Sequence, residues 1–507
     1  MSVFQQTYYD VIIVGGGSAG CAAAARLTED PKRKVLLLEA GPDPQPIPDI
    51  VADATKQVQL LLESPYVAMY PTERILDKSV FYSLAGRIMG GGSSVNVMSV
   101  LRPTKFDLDT WARLGNPGWS YERMLPVLKR IESDQDYPDS PLHGHDGPLY
   151  VRRPYKFGDP ISPPAQAFID GAAGLGLPLC EDVNVPDPLG VSLAPYNIKD
   201  GKRQSTTVAY LNPARARANL TVIAEAQVLS LKLAGTKAEG VVYEKDGKTE
   251  TASAGAIVLA AGVYHSPQIL MLSGIGPEAE LKRHGIRVAH SLEGVGENYQ
   301  DHAVVYMTFE AAQKFQENWI VPRFRLIIKS DPGAGCGNFH IVMRPPTVIQ
   351  GIKRMLPVSA HLLEQRNRGR LRLNSPDPRE LPATEARMLE HSDDVRAMLS
   401  AMEFISRLVQ TGPAKEFYGP LLQPAAGDDW AKFGRSTYDS YHHGVGTCMM
   451  GPASNKFSVV DDRLRVHGIS NLWIGDASIM PTVTHANTNL TSIMIGERLS
   501  DLIKGVS

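Results

Sequence analysis

The sequence predicts an α/β fold: a mostly parallel sheet extended by a β-meander, with an α+β unit beside it that carries a mixed or antiparallel sheet. Three observations predict it. Residues 11–14 are a short apolar, β-branched run, followed at once by glycines at 15, 17 and 20 and a helical stretch. Residues 219–260 alternate like a meander, with Lys245-Asp-Gly-Lys248 as a hairpin turn. Between 301 and 437 the glycine punctuation thins and the pattern becomes mixed, which marks a layer inserted into the first unit. Residues 1–150, 202–300 and 438–507 are therefore assigned to a discontinuous first unit, and 151–201 and 301–437 to the second.

The first unit opens with strand 11–14, helix 18–28 and strand 34–38. Gly15, Gly17 and Gly20 fit G-x-G-x-x-G, and Glu39 follows Gly20 at the ~20-residue spacing of a Rossmann-like dinucleotide site. Gly15 makes the tight turn, Gly17 lets a pyrophosphate approach, and Gly20 lets the helix pack close to the strand. The helix N-terminus, at Ser18 and Ala19, then faces the phosphates, and Glu39, next to Ala40, accepts from a ribose. This motif alone does not separate FAD from NAD.

With 507 residues the chain is long enough for two packed regions. Its 43% hydrophobic and 21% charged residues are ordinary for a globular protein. A net charge of −2 gives no electrostatic basis for binding nucleic acid or anionic membrane. Cys21, Cys180, Cys336 and Cys448 are far apart, without zinc or redox spacing, and are expected to be reduced thiols. No signal peptide fits before the first strand and no apolar run reaches spanning length, so the expected location is cytoplasmic.

Pro42-Asp-Pro-Gln-Pro-Ile-Pro-Asp49 precludes regular structure and reads as an extended surface loop, with a helix at 50–64. Residues 86–96, Gly-Arg-Ile-Met-Gly-Gly-Gly-Ser-Ser-Val-Asn, expose many backbone N–H groups and allow a flat ligand to approach. They are expected to contact the same cofactor, with Met89, Gly91, Gly92, Asn96 and Met98 as the candidates. An amphipathic helix follows at 121–132. The meander strands are 219–223, 228–233 and 240–243, with Val228 as a further candidate contact. A buried strand at 256–260 and a helix at 267–272 come next. Residues 386–410 read as a helix in which Met388, Leu389, Val395, Met398, Leu399, Met402 and Ile405 are core.

Near the C-terminus, Asp439-Ser-Tyr-His-His-Gly-Val-Gly-Thr-Cys448 is a polar loop with two histidines. A strand ending at Asp476-Ala477 precedes Pro481-Thr-Val-Thr-His-Ala-Asn487-Thr488-Asn489 and a helix over 488–504. The start of that helix offers amide donors and a positive dipole end, suited to negative charge on a reduced flavin.

These segments, in this order, resemble the glucose–methanol–choline (GMC) family of FAD oxidoreductases. The nucleotide fingerprint, the loop at 86–96, Gly262–Gly276 (Gly-Val-Tyr-His-Ser-Pro-Gln-Ile-Leu-Met-Leu-Ser-Gly-Ile-Gly), Gly294-Val-Gly-Glu-Asn298 with Asp301-His302, and the C-terminal segments carry the resemblance. Within the family, Ala-Ser-Ile-Met-Pro-Thr-Val-x-x-Ala-Asn-Thr-Asn-Leu is most similar to the 5-hydroxymethylfurfural and aryl-alcohol oxidases. The resemblance implies the GMC fold, bound FAD, and oxidation of an alcohol by hydride transfer, with oxygen or another electron acceptor.

It implies His443 as the catalytic base and Asn487 as the residue that orients the substrate oxygen. Histidine titrates near neutrality, whereas an amide does not titrate. Among the cofactor contacts it implies are His442, Asp476, Ala477, Thr488 and Asn489, with Tyr441 and His442 lining the substrate pocket. Val95 stands where covalently flavinylated members carry histidine, which implies non-covalent FAD. His442 replaces a usual aromatic and makes the pocket more polar. His485 is expected to be structural or at the rim of the site, and His265 receives no role. The expected substrate is a primary alcohol on a small aromatic or heteroaromatic ring, with choline- or pyridoxine-type alcohols as alternatives. Hydroxynitrile lyases and photodecarboxylases are non-oxidative alternatives. No metal is expected, and oligomeric state stays open.

Overall fold

The computed structural model describes residues 8–312, 324–349 and 352–506; parts of the expected units at 1–7, 313–323, 350–351 and 507 lie outside these. The strand Tyr8–Val14 buries Val11, Ile12, Ile13 and Val14. It lies between Val35–Leu38 and Lys248–Leu259, parallel to both. Leu220–Ile223 continues the parallel sheet beyond Val35–Leu38. On the other side, Lys237–Lys245 and Gln227–Ala234 form the antiparallel meander.

Lys248–Leu259 is one strand of 12 residues, longer than the expected 256–260. Its first half is mostly exposed and polar, so it carries no apolar run to reveal it. Its last residues pair in parallel with Leu472–Ile474. This joins the C-terminal segment to the nucleotide sheet and sets Asp476 beside the end of the central strands.

The helix Ser18–Leu27 buries Ala22–Ala25 face to face with Thr488–Lys504. A side chain at Gly496 would run into the Ala19 backbone, so this contact depends on small residues on both helices. Three expected helices differ in extent. The 50–64 stretch is broken into Asp49–Ala52, Ala54–Lys56 and Gln57–Glu63, because the Asp53 carboxylate accepts from Thr55 N–H and caps a new turn. The helix expected from Pro267 begins at Gly262, with Pro267 inside it rather than at its first position. The long helix is Ser392–Val409; Met388 and Leu389 are buried but precede it, and Leu389 has φ +57°. Their spacing extends the apolar pattern backward where the backbone has already left the helix.

The second large sheet has eight strands, all antiparallel. Its path runs Tyr418–Gln423, Ala303–Ala311, Ile352–Leu362, Phe339–Met343, Phe324–Ile328 and Gly190–Leu193. Thr347–Ile349 and Asp439–Ser440 pair at its sides. A five-stranded sheet joins Val67–Arg74 and Val80–Gly86 to Ala383–Ala386, Gly369–Arg372 and Glu297–Tyr299. It is built from segments of both expected units. The pairing of Asp439–Ser440 with Ala303–Val304 positions the site, because it sets the chain leading to His443 beside the chain leaving Asp301.

Candidate active site

The two glycine-rich stretches meet. Gly15, with φ +105°, turns the chain after the first strand, and a side chain at Gly20 would run into the Gly15 carbonyl. Gly90 N–H donates to the Gly16 carbonyl at 2.6 Å, Gly91 packs on Gly17, and Met89 lies over Gly16. A Cβ built on Gly17 or Gly92 would instead meet nothing within 4 Å. The two stretches therefore share one open, backbone-lined side.

Glu39 is buried beside this cradle. Its Oε2 accepts from Gly16 N–H and its Oε1 from Gly41 N–H, both at 2.7 Å. Burial pushes its pKa up to about 7, against the pull of those two amides. Each oxygen keeps a second lone pair for a ribose hydroxyl. Ala40 is exposed next to it, and Ala226 N–H donates to the Glu39 carbonyl at 2.9 Å, bringing neighbouring Val228 alongside. Ser18 Oγ donates to Asn489 Oδ1 at 2.7 Å, tying together the first turns of Ser18–Leu27, with Ala19, and of Thr488–Lys504. Two positive helix ends at an open glycine cradle fit an anionic dinucleotide such as FAD.

Other expected cofactor contacts also hold protein partners. Asn96 Oδ1 accepts from Met98 N–H at 2.9 Å and from Arg203 Nη1 at 2.8 Å. The Asp476 carboxylate accepts from Ser266 Oγ at 2.6 Å and from Gly262 N–H at 2.9 Å, anchoring the Gly262–Leu272 helix. The Ala477 carbonyl accepts from Gly446 N–H at 3.2 Å, in the loop that bears His443. Val95 packs with Val51, Leu60 and Ile88 in a small apolar cluster.

His443 and Asn487 are brought together from 44 residues apart: Asn487 Nδ2 lies 3.1 Å from His443 Nε2. Two further residues determine which atoms donate. His302 Nε2 lies 3.0 Å from the Thr484 carbonyl, to which it must donate. His302 Nδ1 is then an acceptor, and His443 Nδ1, 2.9 Å away, must be its donor. The lone pair of His443 is thereby left on Nε2, facing Asn487. On the other side, Arg325 Nη1 donates to Asn487 Oδ1 at 3.0 Å, which turns the Asn487 NH₂ group toward His443. Asn487 is the N-cap of Thr488–Lys504, yet its side chain makes no capping bond; it serves this chain instead.

Asp301 organises the backbone of both histidines. Its Oδ1 accepts from His302 N–H at 2.7 Å and His443 N–H at 3.0 Å, and its Oδ2 from Ser440 Oγ at 2.5 Å. Burial raises its pKa to about 6. Burial also depresses His302 to about 3. His443 is held well below the ordinary histidine range by burial first and then by the neighbouring His302, His442 and Arg325. His443 is therefore neutral, and its Nε2 lone pair accepts from Asn487 Nδ2 at 3.1 Å.

Tyr441 packs at 4.3 Å from the His443 ring and 4.0 Å from the His361 ring. His442 turns the other way at φ +63°; it is exposed, and its Nδ1 accepts from Leu84 N–H at 3.2 Å. His485 is buried against Asp107, with Nδ1 2.6 Å from Oδ1, in the structural place expected for it. His265 pairs with Tyr70 and Gln268. Sequence reasoning singled out Asp301-His302 as a motif without a role, and missed Arg325, His340 and His361. The last three lie on separate strands of the antiparallel sheet, in stretches without a recognised motif. Elsewhere, Glu132, Asp134 and His143 form a buried group with metal-ligand spacing. Arg102 and Arg153 pair with Glu132 and Asp134, and although burial opposes it, hydrogen bonds to Asp134, Asp182 and Glu132 raise His143 to about 10. The group is thus an internally neutralised network.

The family model described as GMC oxidoreductase matches residues 9–304 and, in its C-terminal part, residues 365–496. The mitochondrial choline dehydrogenase of Homo sapiens is 34% identical, with 95% of this chain and 87% of that protein covered. An oxygen-dependent choline dehydrogenase of Staphylococcus xylosus is 31% identical, with 98% and 95% covered. Among solved structures, pyridoxine 4-oxidase from Mesorbium loti superposes with a TM-score of 0.91 at 28% identity, covering 98% of this chain and 99% of that one.

Proposed function

The chain belongs to the GMC oxidoreductase family, and we propose that it oxidises a primary alcohol on a small aromatic or heteroaromatic ring to the aldehyde, using non-covalent FAD. As a member of this family it is an FAD-dependent alcohol oxidoreductase. The substrate, the site residues and the mode of flavin attachment are the proposal. The observation that carries it is the His443 Nε2 lone pair, held beside the Asn487 NH₂ group at 3.1 Å.

FAD, when bound, supplies the acceptor for the carbon-bound hydride. The protein's part is the proton. The substrate hydroxyl takes the place of the Asn487–His443 bond, donating to His443 Nε2 and accepting from Asn487 Nδ2, so one oxygen is held by both residues. His443 takes the hydroxyl proton as the hydride leaves, forming the carbonyl. His302 keeps the His443 proton on Nδ1 throughout and so reserves Nε2 for the substrate. Tyr441 supplies an aromatic wall on one side of the base. Gly15, Gly17, Gly20, Glu39 and the 86–96 loop would hold the dinucleotide, and Val95 offers no nucleophile for a covalent link. The electrons then pass to oxygen or another acceptor. A cytoplasmic location belongs to the same proposal; among the described residues no helix is long and apolar enough to cross a membrane.

Choline oxidation is a second reading, supported by the names of the relatives. Its quaternary ammonium calls for a carboxylate or an aromatic cage. Asp301 is committed to His302, His443 and Ser440, and Arg325 adds like charge. Anaerobic mixing of the yellow enzyme with benzylic, furanic, pyridoxine-type and choline alcohols, followed by admission of oxygen, tests the assignment. Rapid flavin bleaching by ring-borne alcohols supports it. Faster bleaching by choline would assign the site to a cationic alcohol.

A further inference from the structure

Arg325 is 94% buried and has no carboxylate partner among the described residues (its relative exposure is 6%). Its Nη1 donates to Asn487 Oδ1 at 3.0 Å and its Nη2 to Ser99 Oγ at 2.8 Å, both neutral acceptors. Its Nε is buried with no hydrogen-bond partner. A guanidinium held out of water without a counter-charge is costly, and folds retain one where something else supplies the anion. The surrounding sheet face does not supply it. Ser192, directly across the strand pair, carries a hydroxyl that also lacks a partner. His340, on the next strand, is held neutral by burial and by Arg325.

Along the same face, Arg344 is in a similar position. Its Nε donates to Ser359 Oγ at 2.9 Å and its Nη2 lies 3.4 Å from His361 Nε2, with no carboxylate bound among the described residues. The buried carboxylate at the histidine cluster, Asp301, has both oxygens engaged by Ser440 and by the backbone N–H groups of His302 and His443. The phosphates of a dinucleotide are answered at the glycine cradle, away from this sheet. The missing anion is therefore expected on the substrate.

We infer that the site takes an alcohol that also carries a carboxylate, with Arg325 as the residue that binds it. The inference rests on the alcohol-oxidation reading above and narrows its substrate class. One carboxamide, Asn487, separates the guanidinium from the base. A short spacer between hydroxyl and carboxylate follows, such as a single ring. Arginine suits the role because its planar fork matches a carboxylate.

The test compares hydroxymethylbenzoate, as meta and para isomers, with the matching hydroxymethylbenzamides and with benzyl alcohol, by anaerobic flavin reduction of the holoenzyme. At least one acid isomer should half-saturate at a concentration roughly 10- to 100-fold below its amide, the range of one charge-assisted pair. Arg325→Gln should abolish that ratio, and because the ratio compares two substrates of one enzyme, any shared loss through Asn487 cancels. A ratio that survives Arg325→Gln, or amides that match the acids in wild type, would overturn the inference. Should Arg325→Gln fail to fold, competition in wild type decides: benzoate must displace benzyl alcohol at roughly ten-fold lower concentration than benzamide, and equal displacement refutes the subsite. If benzyl alcohol and the amides bleach the flavin while the acids do not, only the anion subsite fails. If no alcohol bleaches it, the oxidation reading itself fails.

Discussion

The Nδ1 atoms of His302 and His443 face each other at 2.9 Å, and the Thr484 carbonyl 3.0 Å from His302 Nε2 decides which of them bears the proton. A backbone carbonyl can only accept, so the chain of donors runs from His443 through His302 to Thr484. The direction of this chain leaves the lone pair of His443 on Nε2, where Asn487 Nδ2 lies at 3.1 Å.

His302 is thus a positioning residue, and its removal should show as a loss of rate with cofactor retained. His302→Ala frees the His443 ring to take either tautomer and leaves its Nδ1–H without a buried acceptor. Flavin reduction should slow by roughly 10- to 100-fold, the effect of about 1–3 kcal/mol from one unsatisfied buried donor. His302→Asn, which keeps a side-chain acceptor, should recover part of the rate. Stopped-flow reduction with full FAD content checks this; equal rates in wild type and His302→Ala would remove His302 from the mechanism.

His443→Ala should slow flavin reduction by about 10²–10⁴-fold, the range for loss of a general base. Asn487→Ala should cost ~10-fold, as for one hydrogen bond of about 1–1.5 kcal/mol. The two losses should be less than additive, because both groups hold one oxygen. The depressed pKa of His443 keeps it neutral as pH falls below 6.5, so the rate should hold there and decline only at lower pH. That decline should vanish in His443→Ala and persist in Asn487→Ala. A wild-type rate that already drops at pH 6.5 would contradict the buried, neutral imidazole.

Gly17 and Gly20 should fail in different ways. A Cβ at Gly17 meets nothing within 4 Å, so Gly17→Val should fold with an unfolding midpoint near that of wild-type apoprotein, lacking only the stabilisation that bound FAD adds. Its side chain would occupy the approach of the pyrophosphate, and the protein should be purified colourless. Gly20→Val drives a side chain into the Gly15 carbonyl and should lower the midpoint itself. Thermal melts with flavin stoichiometry separate the two; a yellow Gly17→Val protein would move the cofactor elsewhere.

Glu39 gives the cofactor site a pH dependence. Its pKa is raised to about 7 by burial, so its carboxylate, the form that accepts ribose hydroxyls, is lost from apoprotein as pH falls through that value. FAD affinity should weaken below it by up to ~10-fold per pH unit, the limit for one linked proton. Glu39→Gln should bind FAD more weakly at higher pH and show no such step. Titration of apoprotein with FAD, followed by flavin fluorescence, measures both; an affinity independent of pH between 8 and 5.5, roughly one unit or more either side of the raised value, would exclude Glu39 from ribose binding.

Much of the nucleotide half was legible because its constraints are local. Glycines at 15, 17 and 20, an apolar strand before them and Glu39 after them each act within one β-α-β unit, and the structure closes them into one cradle. The second glycine stretch, expected to contact the same cofactor, lies against the first through the Gly90–Gly16 bond. The helix over 488–504 was readable from the sequence, and His443 and Asn487, named there from motif order, lie 3.1 Å apart.

What only the tertiary structure decided depends on partners distant in sequence. The tautomer of His443 follows from His302 and Thr484, which no spacing relates to it, and the orientation of Asn487 follows from Arg325, 162 residues away. Arg325, His340 and His361 sit on separate strands whose register is set by antiparallel pairing. A sequence records that a residue is charged, but burial without a counter-ion arises only when three strands are laid side by side. The local pattern therefore determined the dinucleotide cradle and pointed to the loop that carries His443. The packing of the distant sheet against them decided the charge of the pocket, because the energy of a buried charge depends on what surrounds it in space.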